Sequence, residues 1–150
     1  MSKVEWIYQD RPVPKTKPKF FGFIYVIEYT DGTLYLGKRH FYQTKIMKPL
    51  KSGIQREGGE FFNKIINHKV TQMERVTTEN SWREYEGSSK KTKHLTIKKK
   101  TMLQIYGNSL NLTYGELEYM IKLDVLRNDM YHNDNILGKF YQKKIFKEIK

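Results

Sequence analysis

Two tyrosines near the start of the chain have a spacing that could serve phosphate chemistry. Tyr25 and Tyr35 stand on either side of an Asp31-Gly32 pair, and strand-forming residues flank that pair on both sides. If the pair turns the chain back on itself, the alternation of side chains along paired strands allows both phenols to share one face. Two phenols on one exposed face could flank a bound phosphate, although tyrosines in a hairpin more often serve packing.

Glu116 is a carboxylate that could hold a metal ion. It follows Thr113 by three positions, which is also the spacing of a capping box at the start of a helix, and that structural role explains it without any metal. Because the chain has no cysteine, a metal must be held by oxygen or imidazole. The four histidines lack the close helical spacing of a zinc motif, which favours a hard cation on a carboxylate.

The charge of the chain indicates a polyanionic partner. Lysine and arginine number 28 against 16 aspartates and glutamates, a formal net charge of +12. Such an excess makes a domain repel itself unless it works on a polyanion, and nucleic acid is the obvious one. A membrane surface is the rival, but the sequence has neither a long apolar run nor an early apolar segment with a cleavage site. We therefore expect a cytoplasmic protein that does not act at a membrane.

The elements that must position these residues follow from composition and turn signals. Residues 20–29 are rich in aromatic and β-branched side chains, which predicts a buried strand. Asp31-Gly32 predicts a type I′ turn, so residues 33–36 should pair back antiparallel. Residues 101–106 predict a third strand, and residues 113–126 a helix capped by Thr113.

The other segments have weaker patterns. Residues 38–60 contain proline and glycine breakers and predict a loop with at most a short helix, while residues 61–68 predict a brief helix. Residues 80–89 predict a helical turn ending in a loop of small residues. Residues 90–100 include six lysines, which is typical of a solvated or phosphate-contacting surface. Residues 140–150 alternate lysines with apolar residues and predict a last amphipathic helix.

The N-terminal stretch has the composition of an extended arm. Residues 11–19 combine three prolines with four cations, which disfavours helix and central strand. The arm could lie along a DNA backbone or be a solvated tail, and both interpretations stay open. A chain of 150 residues allows one packed domain but is short for two. We predict a basic, proline-rich arm over residues 1–19 and a single domain over residues 20–150 that ends in a basic helix.

Four segments, taken in order, resemble the motifs of GIY-YIG nucleases. The first two are Phe23-Ile24-Tyr25 and Tyr35-Leu36-Gly37-Lys38. The later two, which resemble phage-encoded members, are Trp82-Arg83-Glu84-Tyr85-Glu86-Gly87-Ser88-Ser89 and Leu123-Asp124-Val125-Leu126 with Tyr131-His132-Asn133. The resemblance covers roughly residues 20–140. It implies an α+β fold in which a small three-stranded antiparallel sheet is flanked by helices.

The resemblance also implies an active site. Glu116 matches the family's metal ligand, with Glu118 as the fallback, and the implied cofactor is Mg²⁺ or Mn²⁺. The implied reaction is hydrolysis of a DNA phosphodiester by water, in which Tyr25 or Tyr35 acts as base or orients the nucleophile. Asn133 matches the family's late asparagine, although Asn135 is close enough to compete. The predicted catalytic residues are Tyr25, Tyr35, Lys38, Arg39, Glu116 and Asn133.

The sequence departs from the family at one cationic position. Many members carry an arginine where this chain has Lys45, and a lysine offers a point charge in place of a fork of donors. Arg39 or Arg83 could supply that fork. The predicted contacts to nucleic acid are His40, Lys45, Arg83, Ser88, Ser89 and Lys90.

The expected substrate is DNA, in double-stranded form. Whether two chains pair to cut both strands is left open, and a phage-encoded member would work in the host cytoplasm. The main alternative is a catalytically inactive basic module that only binds nucleic acid. A third hypothesis is a basic protein associated with RNA or the ribosome, but it leaves the paired tyrosine motifs unexplained.

Overall fold

The structure of the protein is a computed structural model that describes residues 4–141. The chain divides into two units. Unit 2 is Tyr42–Asn80, and unit 1 is formed by the residues before and after that segment.

A long antiparallel hairpin is the centre of unit 1, as the sequence predicts. Strand β3 (Gly22–Tyr29) pairs with β4 (Leu34–His40) from Gly22 opposite His40 to Glu28 opposite Leu34. The turn is not of type I′, because within it only Gly32 has a positive φ, of 88°. The N–H of Gly32 bonds the carbonyl of Tyr29 at 2.9 Å, so the connection is a three-residue loop with glycine in the left-handed position.

Three further strands extend the hairpin into a five-stranded mixed sheet. Strand β8 (Ile97–Tyr106) lies antiparallel to β3, and β1 (Trp6–Tyr8) lies parallel to β8 with β2 (Arg11–Pro12) at its edge, giving the order β2-β1-β8-β3-β4. The strands β1 and β2 fall in the predicted N-terminal arm. The prediction of a three-stranded antiparallel sheet flanked by helices is therefore wrong. The reason is a non-local parallel pairing, which leaves no periodic signal in a segment as short as β1.

A single α-helix within the described residues, α1 (Ser109–Lys122), covers one face of the sheet. It begins at Asn108, whose side chain accepts a hydrogen bond from the N–H of Asn111 at 2.8 Å. Thr113 therefore lies inside the helix, and the prediction that it caps the helix is wrong. The core under α1 is formed by Ile24, Leu36, Leu112, Met120, Val125, Leu126 and Ile136.

Aromatic side chains form a second core in unit 1. Phe23 is fully buried, with ring centroids 5.1 Å from Trp6, 5.0 Å from Phe41 and 6.0 Å from Trp82. The indole N–H of Trp6 donates to the carbonyl of Trp82 at 2.8 Å. Because edge-to-face aromatic pairs add to the burial term, β1 is held to the sheet by side chains as well as by its backbone.

After α1 the chain returns along the free edge of β4. The carbonyl of Leu34 accepts from the N–H of His132 at 2.8 Å, and the N–H of Leu34 donates to the carbonyl of Met130 at 2.7 Å. A short hairpin of β9 (Asn135–Ile136) and β10 (Phe140–Tyr141) follows. The sequence predicts a helix over residues 140–150, but residues 140 and 141 form strand β10. The rest of that predicted helix lies outside the described residues.

Unit 2 is a three-stranded antiparallel sheet with the order β5-β7-β6. Its strands are β5 (Tyr42–Met47), β6 (Gly59–Ile66) and β7 (Lys69–Glu79). The predictions of a loop over residues 38–60 and a brief helix over residues 61–68 are wrong. Every residue from 63 to 70 is exposed, so these strands lack the in-and-out alternation by which a strand is recognised.

No helix in the described part of the chain is long and apolar enough to cross a membrane.

Candidate active site

Tyr25 and Tyr35 lie on one face of the hairpin, as their spacing predicts. Tyr25 stands opposite Gly37 and Tyr35 opposite Ile27, and the two rings are 6.4 Å apart at their centroids. A side chain at Gly37 would overlap the Tyr25 hydroxyl. The glycine therefore allows the phenol of Tyr25 to lie across β4 toward Tyr35.

A third tyrosine joins this pair. The ring of Tyr85 meets that of Tyr25 edge to face at 5.8 Å. The guanidinium of Arg39 stacks over Tyr85, with its carbon 4.2 Å from the ring centroid. The Nε of Arg39 is buried and has no hydrogen-bond partner among the described residues. A buried donor without a partner is costly.

The phenols of the site are held in their neutral form. Burial is the largest cause that raises the pKa of Tyr25, which is 1% exposed, and Tyr85, Tyr35 and Glu116 act in the same direction. Burial also raises the pKa of Tyr35, with Tyr85 and Glu116 as the next causes. Because burial and neighbouring anionic groups both disfavour the phenolate, the protein alone keeps both hydroxyls protonated at neutral pH.

Glu116 is the carboxylate of α1 that is electrostatically coupled to both tyrosines. Burial raises its pKa, and Lys38 opposes that shift. The Nζ of Lys38 donates to the Thr113 hydroxyl at 3.0 Å, one turn before Glu116 on the same helix. Glu118 is exposed.

Asn133 is buried and uses its whole side chain on the backbone of β4. Its Oδ1 accepts from the N–H of Leu36 at 3.0 Å, and its Nδ2 donates to the carbonyl of Leu36 at 2.7 Å. Leu36 lies between Tyr35 and Gly37 in the sequence, so Asn133 fixes the strand at the position of the two tyrosine rings. Asn135 makes a different hydrogen bond, in which its Oδ1 accepts from the N–H of Gly138 at 3.0 Å.

The family model described as "Putative endonuclease segE, GIY-YIG domain" matches residues 6–145. The chain belongs to the GIY-YIG endonuclease family. No curated protein and no solved structure gives a significant match. The family predicted from the tyrosine motifs is confirmed, and the matched range includes β1 and β2.

The predicted nucleic-acid contacts of this GIY-YIG domain are dispersed. His40 is exposed at the end of β4, with its ring 4.6 Å from that of Phe21. Arg83 stacks over Trp82 and donates to the carbonyls of Pro14 and Thr16 at 3.1 and 2.9 Å. Ser88, Ser89 and Lys90 lie just before and in a short 3-10 helix, Lys90–Thr92. Lys45 is on β5 of unit 2.

Sequence reasoning missed two residues of the site, Tyr85 and Lys100. Lys100 is 1% exposed, and its ammonium group donates to the carbonyls of Arg83 and Tyr85 at 3.1 and 2.8 Å. It holds the loop that carries Tyr85, so the prediction that the lysines of residues 90–100 form a solvated or phosphate-contacting surface is wrong for Lys100. The available signal was alternation, since Lys100 precedes buried Met102 by two positions on β8.

Proposed function

We propose that the protein is a divalent-metal-dependent endonuclease that hydrolyses phosphodiester bonds of duplex DNA. The observation that carries the proposal is the group of side chains around Tyr25. Its ring packs against the rings of Tyr35 and Tyr85, and Glu116 raises its pKa. The guanidinium of Arg39 stacks over Tyr85. Family membership supports the same chemistry. The net charge of +12 suits a polyanionic substrate.

The residues present fit a hard cation such as Mg²⁺ or Mn²⁺. Within residues 4–141 no cluster of three or more metal-ligating side chains exists, but Mg²⁺ often uses one carboxylate together with water and substrate phosphate oxygens. Glu116 offers that carboxylate, and because burial raises its pKa, a nearby cation would stabilise its ionised form. When bound, the metal would neutralise charge on the scissile phosphate and its leaving oxygen.

Lys38 prepares Glu116 for a cation. Its ammonium group favours the ionised carboxylate against the effect of burial, and its bond to Thr113 fixes it beside α1. We assign the guanidinium of Arg39, stacked over Tyr85, to a non-bridging phosphate oxygen. A guanidinium held by stacking loses little freedom when it binds an anion, and it would stabilise the charge that develops in the transition state.

The tyrosines orient the attacking water as neutral phenols. With the pKa of both raised, each hydroxyl can donate to or accept from a water without first losing its proton. Tyr35 is half-buried whereas Tyr25 is 1% exposed, so we assign the contact with solvent to Tyr35. We assign to Tyr25 the positioning of Tyr35 and Tyr85.

The test is incubation of the purified protein with supercoiled plasmid, with Mg²⁺, with Mn²⁺ and with chelator in parallel. We expect conversion to open-circular or linear DNA only with a divalent metal. Glu116→Gln serves as the negative control for a contaminating nuclease. Retention of supercoiled DNA in every arm, together with salt-sensitive binding, would identify the protein as an inactive nucleic-acid-binding module and overturn the proposal.

A further inference from the structure

Strands β6 and β7 of unit 2 extend beyond the end of β5 as a two-stranded ribbon. Strand β5 pairs with β7 only from Glu74 to Glu79, whereas β6 pairs with β7 as far as Ile66 opposite Lys69. Five residue pairs, from Phe62 opposite Met73 to the turn, therefore have no neighbour beyond the two strands. At about 3.4 Å per residue the ribbon is roughly 17 Å long. We call this segment, residues 62–73, the β6–β7 ribbon.

The ribbon is exposed and carries no negative charge. Ile65 and Val70 are each 73% exposed and lie opposite each other, so together they form a small apolar patch on the ribbon. Its charged side chains are Lys64 and Lys69, with His68 at the tip, and residues 61–73 contain no aspartate or glutamate. Apolar surface beside lysines, without a carboxylate, is complementary to a nucleic-acid groove.

The two faces of the ribbon have different chemistry. Directly opposed residues share a face, so one face bears Asn63 with Gln72 and Ile65 with Val70. The other face bears Lys64 with Thr71 and Ile66 with Lys69. Side-chain amides and methyl groups are the partners that base edges take in the major groove, while lysines contact phosphates without regard to sequence.

The base of the ribbon is fixed in unit 2. Glu74 is fully buried and accepts from the N–H of Arg56 at 2.7 Å, and the Arg56 guanidinium pairs with the same carboxylate. Arg75 stacks over Phe62 at 4.6 Å. At the tip, Asn67 and His68 both have positive φ, of 50° and 65°, as a tight two-residue turn requires. A ribbon anchored at one end and narrow at the other can enter a groove.

We propose that the β6–β7 ribbon lies in the major groove of duplex DNA, with its Asn63–Gln72 face toward the base edges. Lys64 and Lys69 lie on the opposite face, one on each strand, and their long, flexible side chains can reach the phosphates at the two edges of the groove. A two-stranded ribbon fits a groove about 12 Å wide. This inference rests on the proposed function, since it names how the same substrate is recognised.

Binding is measured first, in chelator so that cleavage cannot interfere. The affinity of the full-length protein for a fluorescent duplex is recorded against salt for wild type, Lys64→Ala/Lys69→Ala and the matched double variant Lys48→Ala/Lys51→Ala, whose lysines are exposed in unit 2 outside the ribbon. Loss of two phosphate contacts should lower the slope of log K against log salt by about 1.8. We expect that fall in the ribbon variant and an unchanged slope in the control. Equal slopes in all three proteins would overturn the proposal.

Sequence preference is measured second, from the cut sites in a randomised duplex library. Asn63→Ala/Gln72→Ala should flatten the preference of the wild type for bases near the cut by roughly ten-fold, the value of one good amide–base contact. The lysine variant should keep that preference. Thermal melting of each variant verifies folding. An intact preference in the amide variant would refute the assignment of that face.

The alternative partner of the ribbon is a second copy of the chain, which would pair with it edge to edge. In that case Ile65→Ser/Val70→Ser would lower the sedimentation coefficient while the lysine variant bound DNA like wild type, and the proposal would fail. A wild-type protein that binds with the predicted slope but never cuts would refute the proposed function and leave the ribbon's role in binding standing.

Discussion

Asn133 takes the place of a neighbouring strand for Leu36, bonding both the N–H and the carbonyl of that residue through one side chain. The bonds join positions 97 residues apart in the chain. Since Leu36 stands between Tyr35 and Gly37, the amide sets the backbone on which the two tyrosine rings depend. We infer that the asparagine predicted to be catalytic acts by positioning the tyrosine site.

Asn133→Ala should therefore destabilise the protein strongly. It leaves a buried N–H and a buried carbonyl without partners, at about 1–3 kcal/mol for each group. We expect a loss of at least about 2 kcal/mol in the free energy of unfolding, measured by urea titration. Asn135→Ala is the matched control and should cost less than about 1 kcal/mol, because its partner Gly138 is exposed. A control as damaging as Asn133→Ala would contradict this account.

Glu116→Gln should abolish cleavage and preserve the fold, whereas Glu118→Gln should cut at nearly the wild-type rate. The amide keeps the shape of the side chain but lacks the charge that a hard cation requires. Plasmid cleavage at saturating Mg²⁺ compares the two variants, which differ by two positions on α1. An active Glu116→Gln beside an inactive Glu118→Gln would transfer the metal site to Glu118.

The raised pKa of Glu116 also predicts a pH dependence. A carboxyl group with a raised pKa in the folded state favours folding at low pH, and this contribution is lost as the pH rises through that pKa. Metal-free Glu116→Gln should therefore melt at a higher temperature than wild type at neutral pH, and the difference should vanish in acid. Cleavage by wild type should decline as the pH falls through the same pKa, because the metal needs the ionised form. A pH-independent difference in melting temperature would argue against the burial of this charge.

Replacing either tyrosine with phenylalanine separates chemistry from packing. Tyr25→Phe removes a hydroxyl group from a buried ring that packs against Tyr85, at about 0.5–1.5 kcal/mol of stability, whereas Tyr35→Phe should melt close to wild type. Both should slow single-turnover cleavage by about 10²-fold, the usual scale for losing a group that handles the nucleophile. Two folded variants that cut at the wild-type rate would remove the tyrosines from the mechanism.

Arg39→Lys should weaken cleavage although it conserves charge. A lysine cannot reproduce the planar stack over Tyr85 or the fork of donors, and loss of a donor to a developing negative charge slows turnover by about 10²-fold. The matched control is Arg75→Lys, which alters the equivalent stack over Phe62 in unit 2. Single-turnover rates at saturating Mg²⁺ distinguish the two, and equal rates for Arg39→Lys and wild type would exclude Arg39 from the site.

The sequence predicted the centre of this fold better than its periphery. The hairpin of β3 and β4 was predictable because Asp31-Gly32 is a local signal between two strand-like runs. The pairing of β1 with β8 was not, since it depends on residues that only the folded chain brings together. Within unit 2, both faces of the ribbon are exposed to solvent, so its strands could not be predicted from an alternation of apolar and polar residues.

The candidate site divides in the same way. Tyr25, Tyr35 and Glu116 could be proposed as site residues because their motifs and spacing can be recognised in the linear sequence. The helix start was misplaced because Thr113 and Glu116 imitate a capping box, while Asn108 makes the actual cap. Tyr85 and Lys100 were missed because their contacts cross between a loop and β8, and a lysine beside other lysines indicates a solvated surface.

The parallel pairing of β1 with β8 also bears on how the protein is made. Trp82, the hydrogen-bond partner of Trp6, is synthesised 76 positions after it, and chains are synthesised at only about 5–20 residues per second. Contacts of such long range also slow folding. The tyrosine site cannot be complete until β8, α1 and Asn133 have all emerged. A nascent chain that has not yet presented Asn133 therefore lacks a complete tyrosine site.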